Sequence, residues 1–360
     1  MVHRKFLFLL PNLALGGAER AIVRYADTLR QAGHHAEILL LENHIEVPAD
    51  SRFVSVLLKG PASHGVISRC VYALLLRRWV RRRKYDLVVS TLPFMDQIAA
   101  MARIPNLVFR IANNLGTEIE AFGDSRRAAR RLARYRRIYS GRRLIAVSNG
   151  VANDLVQTLG IPKAQVRVIY NPFDFEALRC QASELPDDVP SRPFILHASR
   201  FALQKRHDVL LDAFKRLSRD IRLVLMTAST PQLDTMIRER DLQERVIVLG
   251  PRANPYPYMR AASAVVLSSD REGLPNVLVE ALVLGTPAVS TNCPSGPSEV
   301  LTEDLTDFLV PVGNVHALAS ALTRVVRNPP NVRSVDMSRF GVRRFLMEME
   351  RLVEDMQHGQ

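Results

Sequence analysis

The chain has 360 residues, 47% of them apolar, and a formal net charge of +13; it is long for one hydrophobic core and comfortable for two. No stretch reaches the ~20 apolar residues of a membrane span, and the six residues from Phe6 to Pro11 are too few for a signal sequence and read as a buried strand. The three cysteines, Cys70, Cys180 and Cys293, are far apart, odd in number and without metal or redox spacing, which points to a reducing compartment.

Strand and helix patterns alternate along the chain, which implies parallel sheets. In the first half, strands are predicted at 5–10, 36–41, 53–57, 86–90, 106–111, 144–147 and 166–169, and helices over 17–32, 67–83, 95–102, 126–139 and 150–159. Gly16-Gly17 falls between the first strand and the first helix. Without side chains there, the backbone can approach a diphosphate or a reacting sugar, or simply turn. It is not the G-x-G-x-x-G dinucleotide fingerprint.

Two helices of this half carry the excess charge. Residues 69–84 hold Arg69, Arg77, Arg78, Arg81, Arg82, Arg83 and Lys84 with no acid. Residues 126–143 hold Arg126, Arg127, Arg130, Arg131, Arg134, Arg136, Arg137, Arg142 and Arg143, again with no acid. Taking those sixteen from the 49 basic residues leaves 33 against 36 acidic ones, so the basicity is two patches. Tyr72, Leu75, Leu76, Trp79 and Val80 form an apolar stripe on the first helix; Ala128, Leu132, Tyr135 and Tyr139 form a narrow one on the second. Arg77, Arg78, Arg81 and Arg82, with Arg127, Arg130, Arg131 and Arg134, would then face an anionic membrane surface, at ~1 kcal/mol per basic residue. The competing readings are solvated basic faces and a nucleic-acid surface. No zinc-finger spacing or aromatic-rich RNA signature accompanies the arginines.

Residues 171–192 hold Pro172, Pro186 and Pro190 with Asp174, Glu184, Asp187 and Asp188, the chemistry of a linker. The predicted division is a domain over 1–172, a linker over 173–192, a second domain over 193–339, and a last helix within 340–360. In the second domain, strands are predicted at 194–198, 222–226, 246–249, 264–267, 287–290 and 308–310, and helices over 206–217, 231–240, 256–262, 275–284 and 315–326. Two doubly wound α/β domains would face each other across a cleft, with ligands at the strand C-termini.

The chemistry concentrates in this second domain. Arg200 and Lys205 follow the strand at 194–198. Arg offers a fork for phosphate oxygens and Lys a point charge; the bland alternative is solvated charge. After the strand at 264–267 comes Arg271-Glu272-Gly273-Leu274-Pro275-Asn276, opening a helix that carries Glu280. A glycine-containing loop entering a helix N-terminus favours an anion. Carboxylates there do not bind phosphate, but they can accept hydrogen bonds from sugar hydroxyls beside it. A phosphorylated sugar, such as a nucleotide-sugar, satisfies both. Two solvated carboxylates are the plain alternative. No Asp-x-Asp metal motif stands in a suitable context, and Asp174-Phe175-Glu176 lies in the linker.

The segment EGLPNVLVEALVLGTPAV, Glu272 to Val289, resembles the donor-site signature of retaining glycosyltransferases of family GT4. So do Ser199-Arg200-Phe201-Ala202-Leu203-Gln204-Lys205 with the following Val209-Leu210-Leu211-Asp212-Ala213-Phe214, and Leu15-Gly16-Gly17-Ala18-Glu19-Arg20, in the right order and framing nearly the whole chain. The resemblance implies the GT-B architecture, in which the last helix, within 340–360 here, packs back on the first domain, and a glycosyltransferase acting on a nucleotide-sugar, UDP-linked by preference, with retention. It implies that Arg200 and Lys205 replace a metal on the diphosphate and that Glu280 holds the ribose. Glu272 and the N–H groups around Leu274, Pro275 and Asn276, with Gly273, Gly16 and Gly17, would hold the donor sugar and diphosphate. The nucleotide-sugar is then a substrate, and neither a cofactor nor a metal is expected.

Many relatives place a histidine near the donor sugar, but none occurs here between His64 and His197. Arg110 or Asn113 stands in that stretch as a candidate for sugar hydroxyls. Thr291 to Glu299 resembles bacterial enzymes that extend lipid-linked saccharides or surface polysaccharides, though Pro294, Gly296 and Pro297 could equally be a structural turn. With the basic helices, this suggests a membrane-held saccharide acceptor and a peripheral place on the cytoplasmic face of the inner membrane. Another GT-B-fold enzyme, such as a sugar-nucleotide epimerase, is the rival reading, and an arginine-rich nucleic-acid binder the weaker one.

Overall fold

The computed structural model describes residues 3–14, 16–190 and 193–358. They form two compact units: one runs to Pro172 and takes the chain back from Arg339, and the other is Phe173–Ser338.

The first unit holds β1 (Lys5–Leu10), β2 (His35–Glu42), β3 (Val54–Leu58), β4 (Leu87–Thr91), β5 (Leu107–Ile111), β6 (Leu144–Ala146) and β7 (Val166–Val168). They make one sheet in the order β3-β2-β1-β4-β5-β6-β7, parallel throughout. Residues 6–10 of β1 are fully buried. This is why they read as an unbroken apolar run: a central parallel strand is covered on both faces. The covering helices are α1 (Gly17–Gln31), α2 (Val66–Arg81), α3 (Pro93–Ala102), α4 (Leu115–Glu120), α5 (Arg126–Tyr139) and α6 (Asn149–Gln157). α1 buries Ala21, Ile22, Tyr25, Ala26 and Leu29, one face at 3.6-residue spacing.

The second unit repeats the plan. It opens with α7 (Phe175–Gln181). Its sheet is β8 (Phe194–His197), β9 (Arg222–Leu225), β10 (Val246–Val248), β11 (Ala264–Leu267), β12 (Ala288–Thr291) and β13 (Leu309–Val310), ordered β10-β9-β8-β11-β12-β13 and again parallel. Its other helices are α8 (His207–Phe214), α9 (Pro231–Arg238), α10 (Tyr256–Ala261), α11 (Asn276–Val283), α12 (Pro297–Val300) and α13 (Val315–Arg327).

The last helix, α14 (Val342–His358), belongs to the first unit. Its Phe345, Met349, Leu352 and Val353 join the core of Phe6, Phe8, Tyr25 and Leu29. Phe345 meets Tyr25 edge-on at 4.5 Å between ring centroids. Arg167 and Asp355 form an ion pair.

Three helices are absent from the sequence reading: α4, α7 and the single-turn α12. α7 lies in the stretch expected as linker. Asp174 caps it, its carboxylate accepting from the Glu176 and Ala177 N–H groups, so an acid read as linker composition is an N-cap. The unpredicted α4 is capped in the same way by Asn114, which accepts from Thr117 N–H.

Candidate active site

In each sheet the strand order reverses beside the first strand, at β1/β4 and at β8/β11. Such reversals open a crevice at the strand C-termini, where α/β proteins place ligands. In the second unit the loops leaving β8 and β11 are tied together. Asp270 N–H donates to Gln204 O at 2.9 Å, and Ser268 Oγ donates to the Lys205 carbonyl at 2.7 Å. Arg206, in the left-handed region at φ 49°, forks onto Asp208 and reaches Asp270 Oδ1 at 3.0 Å.

That scaffold brings Lys205 and Glu272 together, 67 residues apart in sequence, with Nζ 2.6 Å from Oε1. Their side chains are 15% and 9% exposed. Charges so far out of water persist only when paired. Arg200, on the same β8 loop, is exposed and its side chain has no partner among the described residues. Glu272 leads through Gly273 and Leu274 to Pro275, which stands at the N-cap of α11 rather than inside its first turn. Asn276 is the first helical residue, and Glu280 sits one turn further on, buried.

Several further residues support this loop, and the sequence reading gave none of them a role at the site. Gly296 has φ 91°, and a Cβ there would lie 2.5 Å from Pro275 Cδ and 2.8 Å from the Gly273 carbonyl. The segment read as a possible turn therefore packs directly beneath the Glu272 loop. Strand order carries the signal: β12 neighbours β11, so the loop after β12 must lie beside the loop after β11. Fully buried His197 closes β8; its Nδ1 donates to Val266 O at 2.9 Å and its Nε2 accepts from Ser199 Oγ at 2.8 Å. Burial above all pushes its pKa down to about 3, so the ring is neutral and roots the loop that carries Arg200. His207 packs edge-on against His197 and is buried, with neither ring nitrogen partnered among the described residues. Burial, then Lys205, pushes it down to about 4. The buried Cys293 thiol is pushed up to about 12, by burial first and then by the Glu272 charge.

In the first unit Gly16 caps α1, and a Cβ on it would strike the Glu19 carboxylate at 2.1 Å, whereas nothing lies within 4 Å of one on Gly17. Leu15 lies outside the described residues. Arg110 does not fit the role of a sugar-binding group. It is 1% exposed, with Nη2 donating to Asn171 Oδ1 at 2.8 Å and Nη1 to Thr91 Oγ1 at 3.4 Å. Asn171 Oδ1 also accepts from Tyr25 OH at 3.2 Å. The guanidinium is thus a buried tie between the end of β5 and the chain leaving β7. Asn113 remains exposed.

Of the eight arginines assigned to a membrane face, Arg78, Arg81, Arg82, Arg127 and Arg130 are exposed. Arg77, Arg131 and Arg134 are half-buried, and Arg131 is held by Glu118 at 3.2 Å. Arg131 is therefore tied into the unit's own packing, and Arg77 and Arg134 are partly covered by it. Among the described residues no helix is long and apolar enough to cross a membrane, and no group of three His, Cys, Asp or Glu side chains could hold a metal.

Two all-parallel, doubly wound units with this strand order are the GT-B architecture of known glycosyltransferases. Sucrose-phosphate synthase of Thermosynechococcus elongatus superposes with a TM-score of 0.80 at 20% identity, covering 99% of this chain and 100% of that one. Anabaena HepE, solved with UDP and glucose, gives 0.75 at 22%, covering 98% and 100%. The model of Glycosyltransferase Family 4 matches residues 15–177 and that of Glycosyl transferases group 1 matches residues 192–328. The chain belongs to this GT4 family. A curated relative in Campylobacter jejuni, N-acetylgalactosamine-N,N'-diacetylbacillosaminyl-diphospho-undecaprenol 4-alpha-N-acetylgalactosaminyltransferase, is 32% identical over 50% of this chain and 50% of its own. The chain spans about half the length of the curated relatives it matches.

Proposed function

We propose that the protein transfers a sugar from a nucleotide-sugar, by preference a UDP-sugar, to a lipid-linked saccharide, with retention of anomeric configuration. The observation that carries this reading is the Lys205–Glu272 pair at the β8/β11 reversal, with Arg200 exposed on the same β8 loop and without a side-chain partner among the described residues. At rest the pair satisfies itself. When a donor enters, its diphosphate takes Lys205 and Arg200 while a sugar hydroxyl takes Glu272, so each buried charge exchanges one partner for another. The C1–O bond to the diphosphate breaks as the acceptor oxygen bonds to C1 on the same face. The acceptor proton passes to the departing phosphate oxygen, and the products are the glycosylated acceptor and a nucleoside diphosphate. No side-chain base is needed, which suits a chain without the family histidine. Lys205 and Arg200 stabilise the charge developing on the leaving diphosphate, so activity is expected to persist in excess chelator. Glu280 holds the ribose.

The second unit takes the donor and the first the acceptor, at the cytoplasmic face of the inner membrane. HepE is recorded with UDP and glucose, and the Campylobacter relative is named for a diphospho-undecaprenol substrate; both support the donor and acceptor classes. Screening nucleotide-sugars for thermal stabilisation tests the donor, because a ligand bound only by the folded state raises its stability. Incubating the stabilising one with lipid-linked saccharides then separates transfer from epimerisation. No stabilisation by any nucleotide-sugar overturns the reading.

A further inference from the structure

α2 is built unlike the helices around it. It buries Tyr72, Ala73, Leu76 and Val80 against its own unit, yet it also leaves large apolar side chains in water: Val66 69% exposed, Ile67 82%, Val71 46%, Leu74 66% and Leu75 39%. At ~100° per residue, Ile67, Cys70, Val71, Leu74, Arg78 and Arg81 share one face, and all six are exposed. Its first half is an apolar ridge about 10 Å long, at 1.5 Å per residue; its last turn is cationic, and Arg82, Arg83 and Lys84 follow. No acid occurs from 66 to 84. A scattered exposed leucine needs no explanation, but a contiguous apolar ridge does.

We propose that this face of α2 docks in the interfacial layer of an anionic lipid bilayer, the ridge of Ile67, Val71 and Leu74 entering among the acyl chains and Arg78, Arg81 and Arg82 engaging the headgroups. Charge complementarity selects the occupant. A second copy of the same face would set arginine against arginine with no acid to relieve it, and a nucleic acid has nothing to cover the ridge. A helix lying in the interface meets both requirements, since its apolar side enters the acyl boundary while its basic side stays at headgroup level. The arginines alone would make a purely salt-sensitive contact; the ridge makes one that survives screening in part. The inference rests on the membrane placement proposed above but not on sugar transfer, so the two have separate readouts.

Cys70 lies on the ridge and is exposed; Cys180 is also exposed, whereas Cys293 is buried. In a Cys180→Ser background Cys70 therefore takes an environment-sensitive fluorophore. With phosphatidylglycerol-containing vesicles the label should shift to the blue and the unlabelled protein should co-sediment, and neither should occur with pure phosphatidylcholine. Ile67→Ser/Leu74→Ser should weaken vesicle binding about tenfold or more even at low salt. Arg78→Gln/Arg81→Gln/Arg82→Gln should remove the preference for anionic lipid. All variants should keep the wild-type thermal stabilisation by the donor nucleotide-sugar, which reports that the fold is intact. Three results overturn the proposal: no vesicle binding by the wild type, binding indifferent to Ile67 and Leu74, or a self-associating protein that Ile67→Ser/Leu74→Ser makes monomeric while vesicles are ignored. Loss of sugar transfer alone leaves it standing.

Discussion

Lys205 and Arg200 are both cations on the β8 loop, but they differ in what they hold, and so should their variants. Lys205→Ala strands the Glu272 carboxylate, 9% exposed, and should cost about 3 kcal/mol of stability. Lys205→Ala/Glu272→Gln should recover much of that, because no unpaired charge is left. Arg200→Ala removes a side chain with no partner among the described residues and should leave stability within about 0.5 kcal/mol of wild type. Both Lys205→Ala and Arg200→Ala should lower kcat by roughly two orders of magnitude, the effect of losing one transition-state donor. Urea denaturation and steady-state kinetics check the set; near-normal turnover in both variants sinks the site assignment. His207 offers a pH test. Its folded pKa is about 4, below the ordinary 6.5, so the unfolded chain binds more protons between those values. Its share of stability is present above pH 6.5 and is lost as pH falls toward 4. His207→Phe should flatten that part of the pH–stability curve, measured as the denaturant midpoint from pH 4 to 7. An unchanged curve removes His207 as its cause.

At the scale of elements, the β12–α12 connection decides whether the Glu272 loop keeps its shape. Gly296→Ala adds a Cβ 2.5 Å from Pro275 Cδ at φ 91°, so either the Gly273–Pro275 backbone moves or the turn does. The expected cost is about 1–3 kcal/mol, with donor affinity falling more than in Ala controls elsewhere on α12. Isothermal titration with the donor reads it, and wild-type affinity at full folding contradicts the contact. Capping α7 is a second element-scale prediction: Asp174→Ala should cost about 1 kcal/mol, read from the thermal midpoint. The strands and long helices were legible because they are periodic. α4, α7 and α12 were not: the Asn114 and Asp174 caps of α4 and α7 are residue types that also occur in loops, and α12 is a single turn. α2 was legible as a helix, but two of its five predicted stripe residues are not buried: Leu75 is exposed and Trp79 half-buried. A helix apolar on more than one side does not announce which side is covered.

For the molecule as a whole, α14 makes the chain's last residues part of its first unit. Phe345 packs on Tyr25 in a core with Phe6 and Phe8, so Phe345→Ala should destabilise the first unit by about 3–4 kcal/mol. Thermal melts should then show the first unit unfolding earlier and the transition of the second unaltered; a single unchanged transition contradicts this dependence. By itself the sequence determined the α/β class and the division into two doubly wound sheets, because these follow from alternating periodicities and apolar runs that must be buried; the return of the last helix to the first unit was implied by the GT4 resemblance. It also marked Arg200, Lys205, Glu272 and Glu280 as a set, through residue types at strand ends and a family signature. Only the tertiary structure decided which of them meet, because the Lys205–Glu272 contact spans two separate βα loops and depends on β8 lying beside β11. It alone placed Arg110 inside the first unit and Gly296 beneath the Glu272 loop, and left the Ile67–Leu74 ridge uncovered. Burial is a property of what packs against a side chain, and a residue's neighbours in space are set by strand order, not by its neighbours along the chain.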